Sequence, residues 1–380
     1  MKRIKLFVSF VILAALAFSF AACDPFNNEE YNYNAYQRAV NETVKTHKKN
    51  NKVILLVAFG STWQQAFDAF DTTVDAYQKA FPGYDVFLSF SSAICINRAA
   101  AGENAADGAE VRNYYAPPFW LTAFAQKGVM YSEIVVQSLQ VIPGEEYTRV
   151  INYIKDFANN ANGDLSDDYL SKVILMLGVP LLQDEDADVN AVASALNALY
   201  KTQAANDLVA FMGHGNPDSY DTYKANVRYT QLEEALQAIN PHYFVGTVDM
   251  MENFKPHVYA RMAEAGLNTG NKKLYLHQLM SIDGDHGHND MAGDDLPEKF
   301  EGKSYTFDDL LAEANDEGEV EDCSWKNFFG APGSGFSCNN STMIEKGLLE
   351  LPTIRQIWMN HTRDAINGEP LDYYHSKNPE

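Results

Sequence analysis

Continuous apolar runs that stop at a glycine or a polar residue recur along the chain. From Val53 to Phe59 every side chain is apolar, and Gly60 follows. A run of that length without alternation predicts a strand covered on both faces in a parallel sheet. Comparable runs lie at 85–90, 133–142, 172–178, 207–213, 243–248 and 273–280. Between several of them the apolar positions fall at helical spacing, at 145–158, 189–200, 231–239 and 257–265, and a last amphipathic helix is predicted over 351–366. Strands alternating with helices predict an α/β fold with right-handed crossovers and a ligand site at the carboxyl ends of the strands. The segments Leu56–Ser61 (LVAFGS) and Leu208–His214 (LVAFMGH) echo one another, as the first strands of two similar halves would.

The flanking segments read differently. Lys2, Arg3 and Lys5 precede an apolar stretch at 6–20, about 15 residues against the roughly 20 that span a bilayer. This pattern predicts a signal peptide over 1–22. Phe20-Ala21-Ala22-Cys23 resembles a bacterial lipobox, so Cys23 is the expected acylation site of an exported, membrane-anchored lipoprotein in the periplasm or outer membrane. Residues 23–51 read as a lipid-anchored tether with a polar helix near 35–48. The halves are expected at 52–185 and 186–380, the second carrying an acidic inserted surface segment at 296–322.

Composition narrows the partners. With 380 residues, 46% hydrophobic and 21% charged, the chain has ample core-forming material. Its formal charge is −22, and −25 once 1–22, with three cations and no acids, are removed. Such a polyanion repels phosphate backbones, so no nucleic acid is expected as partner. Self-association into a homo-oligomer is left open. Beyond Cys23 the chain holds Cys95, Cys323 and Cys338. Cys323 and Cys338 flank the Gly-rich loop 330–335, and a disulfide between them is expected, closing a loop of about 15 residues for roughly 3 kcal/mol. Cys95, in an apolar run, reads as a buried thiol.

Chemistry concentrates at strand ends. His214 lies in Gly213-His214-Gly215 directly after a strand. His286 lies in Asp283-Gly284-Asp285-His286-Gly287-His288-Asn289-Asp290 after another, among acids that can fix an imidazole tautomer. Asp249, Glu252, Glu145 and Glu146 also follow strands. Two histidines and a carboxylate could surround a divalent ion such as Co²⁺, Ni²⁺ or Fe²⁺. Dinucleotide, P-loop and nucleophile-elbow motifs are absent.

In this order, VILLVAFGST (53–62), VQSLQVIPGEEY (136–147), LGVPLL (177–182), FMGHG (211–215), VGTVD (245–249), LMSIDGDHGHNDMAGDD (279–295) and Ser324-Trp325-Lys326 resemble the anaerobic-type sirohydrochlorin cobaltochelatases, the CbiK-like proteins of the class II chelatase superfamily. The resemblance implies two Rossmann-like, doubly wound parallel-sheet halves around a central cleft. It further implies a tetrapyrrole metal chelatase that inserts Co²⁺ into sirohydrochlorin. Its metal ligands fall on His214, His286 and Asp249, with His214, His286 and Glu146 as the catalytic groups. Gln140 stands where the family usually has histidine, and Asp249 where it usually has glutamate, so either the ligand set is re-spaced or Glu252 substitutes. Ser61, Gln140 and Arg98 are the residues expected toward the tetrapyrrole, since its acid groups need cations such as Arg98, Arg112 and Lys127 in a negative protein. Export suits a second reading, a haem-binding lipoprotein for iron or haem acquisition.

Overall fold

The structure is a computed structural model and describes residues 33–217, 219–315 and 317–377. The expected signal peptide and Cys23 lie outside these residues. The helix expected near 35–48 forms as α1 (Tyr33–His47), and it buries Val40 and Val44 completely in the core while Gln37 Nε2 donates to Phe119 O at 2.9 Å. These two valines, four apart on one helix face, gain more by docking than the segment would by remaining extended.

Every apolar run forms a strand. β1 (Lys52–Ala58), β2 (Asp85–Phe90), β3 (Glu133–Ser138) and β4 (Ile174–Gly178) make one sheet in the order β2-β1-β3-β4. β5 (Leu208–Gly213), β6 (Tyr243–Thr247) and β7 (Lys272–Gln278) make the second in the order β6-β5-β7, extended by the two-residue strands β8 (Phe336–Ser337) and β9 (Met343–Ile344), which pair with β7. All pairings are parallel. The covering helices are α2 (Gln64–Ala80), α3 (Ala93–Ala101), α4 (Pro117–Phe124), α5 (Glu145–Ala158), α6 (Ala187–Tyr200), α7 (Val227–Ile239), α8 (Lys255–Glu264) and α9 (Pro352–Asn367). The run at 133–142 overshoots its strand because hydrophobicity records burial, not the ladder: Leu139 and Val141 are buried beyond the last paired residue, Ser138.

In each sheet the chain leaves the central strand for one neighbour and then crosses to the other side. The switch points therefore fall between β1 and β3 and between β5 and β7, where parallel sheets hold ligands. Gly60-Ser61 and Leu139-Gln140 leave the first, and Gly213-His214 and the 279–291 loop leave the second. The two edges meet: Ser281 Oγ donates to Leu139 O, and Trp63 Nε1 donates to Asp285 Oδ1 at 2.6 Å. The opposite end of the first sheet is closed by structural acids. Asp85 accepts from Lys49 N, Asn50 N and Tyr131 Oη, and Glu133 pairs with Lys52 at 2.7 Å.

Alternation along the second sheet splits its two faces. Val209, Phe211, Tyr243 and Val245 join the core that surrounds the first sheet, whereas Leu208, Ala210, Met212, Phe244, Leu274 and Leu276 form a second cluster with Val258, Met262, Trp325, Phe328 and Phe329. Each such aliphatic or aromatic side chain, fully buried, contributes about 1.5–3 kcal/mol relative to exposure.

Four sequence expectations change here. The 296–322 segment is not confined to the surface: Phe307, Leu310 and Val320 are buried in the second cluster, because short apolar residues spaced along an acidic stretch still find that core. The last helix, assigned by order to the second half, packs on the first sheet, where Thr362 Oγ1 donates to Gln137 Oε1 at 2.7 Å and Trp358 Nε1 to Gln140 O at 3.3 Å. Its buried Ile354, Trp358 and Met359 cover β3 and β4. Cys323 and Cys338 are free thiols, each buried separately, the first against Ser324 O and the second against Thr342 Oγ1, and burial pushes them up to about 11 and about 12. Flanking one loop did not bring the sulfurs into bonding geometry. Cys95 is only half-buried, on α3, with its backbone N donating to the N-cap hydroxyl of Ser92.

Candidate functional site

His214 is the first residue beyond β5. Gly215 after it has φ +76°, and a Cβ there would stand 2.9 Å from Met250 N, so the turn that aims His214 requires glycine. Gly215 N donates to Tyr229 Oη at 3.4 Å and fixes the turn. His214 Nδ1 lies 2.7 Å from Gly215 O. A carbonyl only accepts, so Nδ1 carries the proton and Nε2 keeps its lone pair for an electrophile.

His286 opens a π-helical turn, His286–Met291, in which Ala292 N reaches back to Gly287 O at 3.1 Å. Such turns often mark functional sites. Its Nδ1 lies 2.5 Å from Asp290 Oδ2, four residues on and on the same face, so this imidazole too presents Nε2. The two rings are perpendicular with centroids 4.7 Å apart. Their side chains are 48% and 40% exposed, open to the crevice.

The acids differentiate the pair. Burial and the neighbouring His286 ring lower the pKa of His214, against the opposing pull of Asp249. Burial also opposes charge on His286, but the Asp290 hydrogen bond and the fields of Asp290, Asp249 and Asp285 outweigh it, and its pKa is raised. Asp249 Oδ2 is 3.4 Å from His214 Nδ1, and Asp249 N donates to His214 O at 2.9 Å. The carboxylate therefore meets the proton-bearing side of the ring, where it orients His214. Glu252, the alternative carboxylate, is exposed on the turn Met251–Asn253.

The other expected residues are placed less uniformly. Gln140 is buried where the halves meet; its Oε1 accepts from Ser138 Oγ, and its Nε2 has no hydrogen-bond partner. Ser61 is buried beside the 279–291 loop and its hydroxyl accepts from Trp63 N at 3.2 Å. Glu146 lies in the first turn of α5, joined to Ser91 Oγ and Arg149, both at 3.4 Å, and no hydrogen bond or ion pair links it to either histidine. Burial raises its pKa, while Arg149 and Ser91 favour its charge. Arg98, 46% exposed, pairs with Glu103 at 3.4 Å, and Arg112 pairs with Asp71 and Glu110. A cavity of about 550 Å³ at the edge of β2 includes none of the histidines of the crevice. Sequence reasoning did not single out Trp63, the indole that reaches from the first half to Asp285; only its place after the Gly60-Ser61 strand end pointed to it.

Two imidazoles with carboxylates behind them, at the shared edge of two parallel-sheet halves, define a protein of the chelatase class. The chain belongs to the cobalt chelatase family (CbiK), whose pattern matches residues 52–306. Two curated relatives are similar over most of their length. The sirohydrochlorin cobaltochelatase CbiKC of Nitratidesulfovibrio vulgaris is 25% identical over 317 residues, covering 83% of this chain and 91% of the relative. The sirohydrochlorin cobaltochelatase of Salmonella typhimurium is 26% identical over 320 residues, covering 83% and 97%. Among solved structures, SirB from Bacillus subtilis with Fe³⁺ aligns with a TM-score of 0.44 at 13% identity, over 86% of this chain and 98% of that one.

Proposed function

We propose that the protein inserts Co²⁺ into sirohydrochlorin in the crevice between its halves. The observation that carries this reading is the pair of imidazoles whose Nδ1 atoms are both engaged, leaving two Nε2 donors side by side. Membership of the cobalt chelatase family supports it. Insertion exchanges one dication for the two protons of the pyrrole N–H groups, so the site must release a metal and accept protons. His214 and His286 deliver the substrate ion and, once relieved of it, accept protons. Asp249 and Asp290 keep both rings in the delivering tautomer, and Glu146, raised by burial, is suited to hold a proton in transit. The unpartnered Gln140 Nε2 supplies a donor for a macrocycle carboxylate, and Arg98 a cation.

The test is multiple turnover of metal-free protein with Co²⁺ and sirohydrochlorin, followed by the absorbance of the product. A rate no greater than the uncatalysed one overturns the proposal, and tight haem binding with no insertion would replace it with the carrier reading.

We further propose that the chain works outside the cytoplasm, anchored through acyl chains on Cys23; the basic start and short apolar stretch support this. The full-length protein should fractionate with membranes and Cys23→Ala with the aqueous phase. Identical partitioning of the two would refute anchoring.

A further inference from the structure

A second group of ligands, distinct from the His214/His286 pair, joins the loop that carries His286 to the residue after β9. Asp283 is fully buried; its Oδ1 accepts from Gln278 Nε2, and its Oδ2 has no hydrogen-bond partner. A buried carboxylate oxygen left without a donor is costly. The polar atom facing it is His288 Nε2, 3.6 Å away and also without a hydrogen bond. On the other side of that ring, Glu345 Oε2 stands 3.4 Å from His288 Nδ1. One ligand atom from each of Asp283, His288 and Glu345 falls within 4.8 Å of the other two.

The surroundings hold this geometry. Trp63 stacks on the His288 ring with centroids 4.0 Å apart and planes 27° from parallel. A Cβ at Gly287 would lie 2.0 Å from Asp283 Oδ1, so only glycine lets the carboxylate sit under the turn. Three segments contribute: the loop after β7, the π-helical turn and the residue after β9.

We propose that Asp283, His288 and Glu345 form a second divalent-cation site, which clamps the His286 turn to the segment after β9. One imidazole and two carboxylates suit a borderline first-row dication such as Zn²⁺ or Co²⁺. Metal–ligand bonds of about 2.0–2.2 Å set tetrahedral ligand atoms roughly 3.4 Å apart, close to the 3.6 Å between Asp283 and His288. Glu345, 45% exposed, is free to close the remaining gap. A dication neutralises both acids and satisfies the orphaned Oδ2. The site does not depend on what the crevice pair transfers, so it stands or falls apart from the chelatase reading.

The full chain, stripped with chelator, is titrated with Zn²⁺ by calorimetry and with Co²⁺ by tryptophan fluorescence. Two ions per chain are expected. His214→Ala/His286→Ala should retain one, and that ion's affinity should fall more than about 100-fold when Glu345→Gln or His288→Ala is added. Co²⁺ should quench Trp63 in the His214→Ala/His286→Ala background and not after His288→Ala. Because Glu345→Gln alters an exposed side chain, it can be read in the otherwise native chain, where the stoichiometry should drop from two to one. No ion retained by His214→Ala/His286→Ala, or a retained ion indifferent to both Glu345→Gln and His288→Ala, overturns the site; a native chain with one ion that is lost on Glu345→Gln would instead count against the crevice pair.

Discussion

If the chain works as proposed, replacing His214 and His286 together by Ala is expected to abolish Co²⁺ binding in the crevice and to lower insertion by about 10²–10⁴-fold, with little change in sirohydrochlorin affinity. The size follows from what is removed. Both groups that present Nε2 to an ion are lost, and with them the nearest bases for pyrrole protons, an effect of the order that general base catalysis supplies. On the proposed reading, macrocycle affinity is expected to rest on other contacts, the crevice walls and the donors proposed at Gln140 and Arg98. Single-turnover kinetics with an absorbance titration of the macrocycle separates the two. Insertion that survives the double replacement would show that the ion is held elsewhere. Asp249→Asn should be milder, since this carboxylate touches the proton-bearing side of His214 and orients the ring from 3.4 Å.

A second large effect is expected away from the crevice. His277, on β7, is fully buried between Tyr200 and Phe211, and neither of its ring nitrogens has a hydrogen-bond partner. Burial, aided by Lys346, pushes its pKa down from 6.5 to about 3. Unfolding restores the ordinary value, so the unfolded chain binds a proton that the folded chain refuses. The stability associated with neutral His277 is complete above pH 6.5 and is lost as pH falls toward 3. Between pH 7 and pH 5 that loss amounts to about 2 kcal/mol. His277→Leu removes the titrating group and both unpartnered nitrogens. Urea unfolding of this variant should show stability at pH 7 equal to or above that of the parent and a shallower decline to pH 5. Equal declines in the two proteins would mean that His277 is protonated or solvated in the folded chain.

Much of this protein is legible in one dimension. Seven apolar runs sufficed for the seven principal strands, because strands covered on both faces are built mainly from apolar side chains. The helix at Glu145–Ala158 was predicted to the residue, since its apolar spacing and the preceding Gly144 mark both its face and its start. Glycine beside histidine after a strand located His214, and acids around His286 announced a fixed tautomer, because these are local requirements of a turn and an imidazole.

What sequence could not supply is convergence between distant segments. That Asp249 reaches the Nδ1 side of His214, that Trp63 crosses to Asp285, and that the last helix returns to cover β3 and β4 depend on how two sheets are set against each other. No local pattern encodes that placement; it follows from the shared core into which both faces of the second sheet must pack. The same holds for the errors. Cys323 and Cys338 are near in sequence yet unbonded, because a disulfide needs relative orientation as well as proximity. The acidic 296–322 segment looked superficial by composition, yet Phe307, Leu310 and Val320 sit in the core, because burial is decided by the few apolar residues that find a space. Sequence alone determined the principal strands, several of the helices between them and the strand-end histidines. Tertiary structure decided which of those residues meet, because packing and hydrogen-bond geometry act between segments that only the fold makes neighbours.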